Sequence, residues 1–303
     1  MVVDATDALV RRAAFAHVQA LVERDGDVLS WSTLTAGFEF RGERVHLLSQ
    51  QGIFTPRQCR QPLSIRTSAN SPYGDSIGEG DTLRYAYRGT DPAHRDNVGL
   101  HETMHDRTPL IYFHSVVQGH YLAVLPVFVV RADPKALMFD VQVDEPSAIA
   151  PMREGAKVND ADEPIRRRYA TIVTRRRLFQ RTFRERVLDA YRRSCALCRL
   201  KHEPLLDAAH ILPDADARGE PRVSNGLSLC KIHHAAFDRD ILGIDPDGRA
   251  RIRADILEEV NGPMLRHGLQ EMHGVALRLP RRAQLRPDRD ALAERFEAFL
   301  KAG

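Results

Sequence analysis

The order of apolar and polar positions changes character several times along the chain. Residues 5–24 carry apolar side chains at helical spacing and Gly26 follows as a terminator, so the pattern predicts a helix there. From about 33 to 145 the spacing shifts to short β-type runs separated by turn signals. FEFRGERVHLL turns at Arg41-Gly42, TLRYAYRG alternates, and LIYFHSVV and YLAVLPVFVV are divided by Gly119. Residues 144–164, DEPSAIAPMREGAKVNDADEP, are polar, acidic and proline-bearing, and read as a linker. A helix follows at roughly 175–193, with Leu178, Phe183, Val187, Leu188 and Tyr191 on its apolar face. DRDALAERFEAFLK at 288–301 closes the chain as an amphipathic packing helix. The pattern predicts an α+β protein: a β-rich domain at 1–145 opening on a helix, a linker at 146–164, and a second domain at 165–303.

Composition narrows the class. At 303 residues, 43% hydrophobic and 28% charged, the chain is long enough for two globular domains. YLAVLPVFVV, at 121–130, is too short to cross a bilayer and reads as a buried strand. The N-terminus lacks the basic-then-apolar order of a signal peptide, so a cytoplasmic protein with no membrane partner is expected. Net charge is only +3, but Arg166–Arg193 holds eleven arginines against Glu185 and Asp189, a local +9 that leaves −6 elsewhere. A basic segment on an acidic protein suits a phosphate backbone. Arg175, Arg176, Arg177, Arg181 and Arg184 are its candidate DNA contacts; a solvated arginine-rich helix is the plain alternative.

Three of the four cysteines cluster. Cys195 and Cys198 form one hook, and Cys230 with His233 forms another, in the spacing C-x2-C-x31-C-x2-H. Two hooks of soft ligands suit a closed tetrahedral structural zinc site, with no open position for catalysis. His234 beside His233 is the competing fourth ligand. Cys59 stands alone and reads as a small core residue, and His202 as a surface residue.

Between and beside the hooks lie DAAHILP with His210, VSNGLSLC with Asn225, and HHAAFDRD with His234 and Asp238. This order resembles the HNH endonuclease family, and AAHI…SNGLSLC…HHAAFDR is close to the McrA-like branch of type IV restriction endonucleases. The resemblance covers 195–245 and implies a zinc-stapled ββα-metal domain. In such a domain His210 is the general base that activates water, and Asn225 holds the loop that orients it. His234 ligates a catalytic Mg²⁺ or Mn²⁺, with Asp238 as a second ligand. The chemistry agrees, since a near-neutral histidine can deprotonate water and a divalent cation can neutralise the leaving oxygen. Many relatives place a ligand immediately before the base, where this chain has Ala209. Asp207 is the candidate substitute, although alternation along a regular strand aims it away from the His210 face.

That architecture also implies a role for the first domain, because phosphate contacts position a nuclease without specifying a target. The expectation is an SRA- or PUA-like reader of a modified base, with Tyr73, Asp75, Tyr85 and Tyr87 as candidate base contacts and Tyr112 and His114 as further material. Ordinary half-buried strand tyrosines are the alternative. Residues 93–108, with His94, His101 and His105, read as a polar loop, with a second metal site as the competing reading. The function expected is modification-dependent cleavage of double-stranded DNA. An HNH nuclease for unmodified DNA and an inactive zinc-containing DNA binder stay open, as does RNA as substrate. Cutting both strands needs two active sites, which a homodimer would supply.

Overall fold

The computed structural model describes residues 5–67, 82–144, 163–213, 221–260 and 262–302. The chain divides into two compact units, Met1–Leu178 and Phe179–Gly303, and both mix helices with strands. The first unit runs α1 (Ala5–Asp25), β1 (Val28–Ser30), α2 (Trp31–Ala36), β2 (Phe38–Phe40), β3 (Glu43–Val45), β4 (Ile53–Phe54), β5 (Ser64–Arg66) and β6 (Leu83–Ala86). It continues with α3 (Arg95–Asp106), β7 (Leu110–Val117), β8 (His120–Asp133) and β9 (Met138–Val143), and then enters α4 (Glu163–Ala190).

Its main sheet has the order β4-β5-β7-β8-β9-β6, with β1 also on β8. Only β5 and β7 run parallel. The first residues of β8 pair with β1 and its later ones with β9, and register shifts interrupt the β7–β8 and β8–β9 ladders. Such irregularities sharpen the local twist, and the sheet curls. β7 is buried on both faces: Ile111 and Phe113 join the core formed by Val10, Phe15 and Val18 of α1, while Leu110 and Tyr112 join the core of Tyr85, Val127 and Phe139. Burial on both sides explains why LIYFHSVV is continuously apolar. The hairpin of β2 and β3 turns at Arg41 and Gly42, both with positive φ, 52° and 82°, as the Arg-Gly pair led us to expect.

Three features depart from the sequence reading. Residues 95–106, expected as a polar loop, form α3, capped by His94 and closed by a left-handed Arg107. Leu100 and Thr103 bury one face of this helix, while its charged face is what the sequence shows. α4 begins at Glu163, twelve residues before the expected start. The division between units falls inside it, after Leu178, where the pattern placed the boundary at 165. The reason is that Leu178 packs in the first unit's core and Thr171 bonds the backbone of Val143. Arg11 is a fully buried charge on α1, paired with Asp7 at 3.0 Å and donating to the carbonyls of Pro62 and Pro109. Such a charge is tolerated only because it is paired and its donors are used.

In the second unit the last turns of α4 lead to the hairpin β10 (Leu206–His210) and β11 (Gly226–Cys230), then α5 (Lys231–Asp238). A second hairpin, β12 (Leu242–Ile244) and β13 (Ala250–Ile252), precedes α6 (Ala254–Glu258), α7 (Pro263–Gly268) and α8 (Arg289–Ala302). Phe183, Val187 and Tyr191 of α4 pack with Leu206, Ala209, Leu227, Leu229 and Phe237. Gly226 makes that contact possible, because a Cβ there would lie 2.5 Å from Val187 Cγ2 and 2.8 Å from Phe183 Cζ. Phe299 of α8 lies against Gly243 in the same way, so the predicted packing role of the last helix is met inside this unit.

Candidate active site and metal centre

The ligand atoms of Cys195, Cys198, Cys230 and His233 all lie within 4.8 Å of one another. Each hook is set by backbone. After α4, Cys195 donates its amide to Leu200, Arg199 returns one to Cys195, and Ala196 bonds Ser228 of β11 at 2.7 Å. Cys230 ends β11 and caps α5, which brings His233 into the first turn of the helix. His233 faces the sulfurs of Cys195 and Cys230 through Nδ1, at 3.4 and 3.3 Å, and its Nε2 bonds the Gly268 carbonyl at 2.8 Å. A backbone acceptor on the far nitrogen is how proteins aim a metal-binding imidazole. The four donors therefore fit a tetrahedral cation bound through three thiolates and one imidazole. Burial opposes protonation of His233, but contact with Cys195 and Cys230 pulls its pKa up to about 10, so protons compete with metal here.

His234 is one residue on, about 100° around the helix, and serves a different place. Its two ring nitrogens face two carboxylates: Asp207 lies 3.8 Å from Nδ1 and Asp238 3.3 Å from Nε2. The nearby Asp207 carboxylate raises the His234 pKa against the effect of burial, and the same contact lowers that of Asp207. Opposite ring nitrogens cannot reach one ion, so Asp207, His234 and Asp238 cannot all ligate a single cation in this arrangement. β10 pairs with β11 in regular register, without a bulge, and strand alternation sets Asp207 and His210 on opposite faces. Ala209 is wholly buried, so a carboxylate at that position would sit in the core.

His210 ends β10, and its ring stacks on Phe183 with centroids 4.0 Å apart and planes 17° from parallel. The chain just beyond is pinned by Asn225. Its side chain accepts from the Leu212 amide at 2.9 Å and donates to the Leu212 carbonyl at 3.1 Å, while its own carbonyl accepts from Ile211. Asn225 is buried and its side-chain polar atoms are used in holding Leu212. The sequence offered no sign of Phe183 as a partner of His210, because a stacking phenylalanine and a packing one occupy the same helical spacing.

This strand, Asn-bearing turn, strand and helix, with the cysteine hooks around it, match a family model. Residues 195–245 fit the family described as HNH endonuclease. The chain carries an HNH endonuclease domain. It is thus a DNA-cleaving enzyme in kind, and the domain accounts for the hooks, His210, Asn225 and α5 together. No curated protein matches the chain. One solved structure, titled modification dependent TagI restriction endonuclease, overlaps 81% of this chain and 84% of its own at 17% identity, with a TM-score of 0.30.

Other expected site residues fall elsewhere. Arg184 is committed within the HNH unit, bonding Glu185 at 2.8 Å, the carbonyls of Glu203 and Leu206, and Asp207 at 3.4 Å, so it braces the site in place of facing DNA. Arg177 pairs with Asp27 at 2.9 Å. Arg176 and Arg181 are exposed, and the Arg175 side chain lies outside the described residues. Tyr85 and Tyr87 are core residues; Tyr87 stacks on Phe139 at 4.1 Å and bonds His101, which leaves no ring face for a base. Tyr73 and Asp75 lie outside the described residues. His101 bonds Tyr87 and His105 pairs with Asp106, so these two do not meet at a metal. Cys59 is buried and His202 exposed. Among the described residues no helix is long and apolar enough to cross a membrane.

Proposed function

We propose that the protein is a double-stranded DNA endonuclease in which His210 deprotonates the attacking water, and in which the curled-sheet unit selects the target, a modified base. The observation that carries the catalytic part is the reciprocal pair of hydrogen bonds between the Asn225 side chain and the backbone of Leu212, two residues past His210, inside a segment that fits the HNH endonuclease family. A base must be held in one orientation to act on one water. Phe183 stacked on the ring and Asn225 holding the chain just after it restrain His210.

His234 and Asp238 would hold Mg²⁺ or Mn²⁺, with Asp207 orienting the ring from its other nitrogen. That cation, when bound, supplies charge neutralisation at the phosphate and the leaving oxygen. Zinc at Cys195, Cys198, Cys230 and His233 is closed by protein ligands and acts as a staple. Arg176 and Arg181, exposed on α4, remain candidate phosphate contacts. The sheet unit is the candidate reader because the HNH domain has no evident means of choosing a sequence. A homodimer would provide the second active site for the second strand.

One plasmid prepared unmodified, cytosine-methylated and hydroxymethylated, incubated with Mg²⁺ or Mn²⁺ beside His210→Ala, tests the reading. Cutting confined to a modified form and reduced about 10²–10⁴-fold in the variant supports both parts. Equal cutting of all forms removes the modified base and keeps the nuclease. Undiminished cutting by His210→Ala removes His210 as the base.

A further inference from the structure

The two arginines that follow α4 meet opposite surroundings. Arg193 is held between Glu185, at 3.0 Å, and Glu203. Arg192 is exposed, and the charges acting on it are those of other arginines. Arg278 chiefly, with desolvation and then Arg281 adding to it, pushes the Arg192 guanidinium below its ordinary pKa. Both residues are left-handed, with φ of 55° and 48°, a conformation that non-glycine residues adopt at some cost.

Arg278 and Arg281 are carried on a fixed strip. The Leu277 amide bonds Gly248 at 2.7 Å, and the Arg278 amide bonds the carbonyl of Ala196, inside the first cysteine hook, at 2.8 Å. Leu277 and Pro280 are buried while Arg278 and Arg281 are exposed, so the backbone is anchored on one side and presents guanidinium groups on the other. Among the described residues no acid forms an ion pair with Arg192, Arg278 or Arg281, whereas Arg253, Arg289 and Arg295 of the same unit pair with Asp255, Asp247 and Asp240. Three like charges gathered without a counter-charge repel one another, and an anion lying across them relieves that repulsion.

We infer that Arg192, Arg278 and Arg281 form a grip for the phosphate backbone of DNA on the HNH unit, beside the metal hook and separate from the arginine run on α4. The inference rests on the nuclease reading above and names where that unit holds its substrate. Guanidinium groups suit phosphate oxygens through paired donors, and such contacts position a duplex without reading its sequence.

The test uses full-length protein carrying His210→Ala, so that binding is read without cutting, and a labelled unmodified duplex titrated across a range of salt. Adding Arg278→Gln and Arg281→Gln is expected to lower the slope of log K against log salt by about 2, since each lost phosphate contact removes roughly 0.9. A paired control, Arg253→Gln with Arg289→Gln, removes two charges already matched to Asp255 and Asp247 and is expected to leave the slope unchanged. An unchanged slope in the first variant overturns the grip, and so does an equal fall in the control, which would report net charge only. Failure of the parent to bind any duplex would bring down the nuclease reading along with the grip, whereas an unchanged slope with intact cleavage by the His210-containing protein brings down the grip alone.

Discussion

The sheet unit and the HNH unit are built by different means. The first relies on long strands: β7 and β8 run eight and fourteen residues, and two apolar clusters share β7 between them. The second has strands of five residues at most, in two separate two-stranded pairs. An isolated pair of that size is marginal in water. It is completed by the end of α4 on one side and by a four-ligand hook on another. The lesson is that the catalytic unit trades extended pairing for a few point constraints, each of which matters more than any single residue of the sheet.

Removing the hook should show this most strongly. Chelation, or Cys230→Ser, is expected to abolish the HNH unit's thermal transition in calorimetry while the sheet unit's stays in place. Structural zinc contributes about 10–16 kcal/mol, against a domain stability of about 5–15 kcal/mol. A shift of both transitions together would break the comparison. Lower pH should weaken the hook in the same direction, because protons compete for the thiolates and for His233.

Asn225→Ala comes next, at about 3 kcal/mol in urea unfolding, since it leaves the Leu212 amide and carbonyl buried without their partner. Cleavage should fall further than this stability loss accounts for if Asn225 orients His210. Gly226→Ala forces Phe183 and Val187 apart from β11 and should cost about 2 kcal/mol by overpacking, with slower cutting as Phe183 leaves the His210 ring. The smallest effect belongs to the sheet unit. Tyr87→Phe removes one hydrogen bond, to His101, and should cost about 1 kcal/mol with DNA binding unchanged. A specific loss of binding to modified DNA would return Tyr87 to the reading of bases.

The site was more legible than the fold around it. The cysteine hooks, His210 and Asn225 stand in a short segment where spacing alone carries chemistry, and the structure gathers the four ligand atoms and joins Asn225 to the chain after His210. The spacing favoured His233 over His234 as the fourth ligand, but the Gly268 carbonyl that aims its ring lies far along the chain and was not legible. Sheet order is likewise set by pairs distant in sequence, such as Ile65 with Tyr112. α3 was hidden by its charged face, and the early turns of α4 by an arginine-rich stretch in which no apolar stripe stands out. Tyr85 and Tyr87 illustrate the opposite error: alternation along TLRYAYRG cannot tell a core face from a binding face when the sheet is covered on both. Arg192 and Arg278 share no local pattern, since Arg278 reaches the first cysteine hook only through a backbone bond to Ala196.

Cys230 occupies three offices at once, as the last residue of β11, the cap of α5 and a ligand of the hook. A slip of one residue between β10 and β11 would turn every side chain of the strand to the other face. Cys230 would then leave its three companions, and Asn225 would lose Leu212 in the same movement. A cation that needs all four ligands thus favours one alignment of the hairpin over its near neighbours. A metal held by all four would make the hook a proofreader of register, and a nuclease mispaired by one step would be disarmed before it could bind that metal firmly.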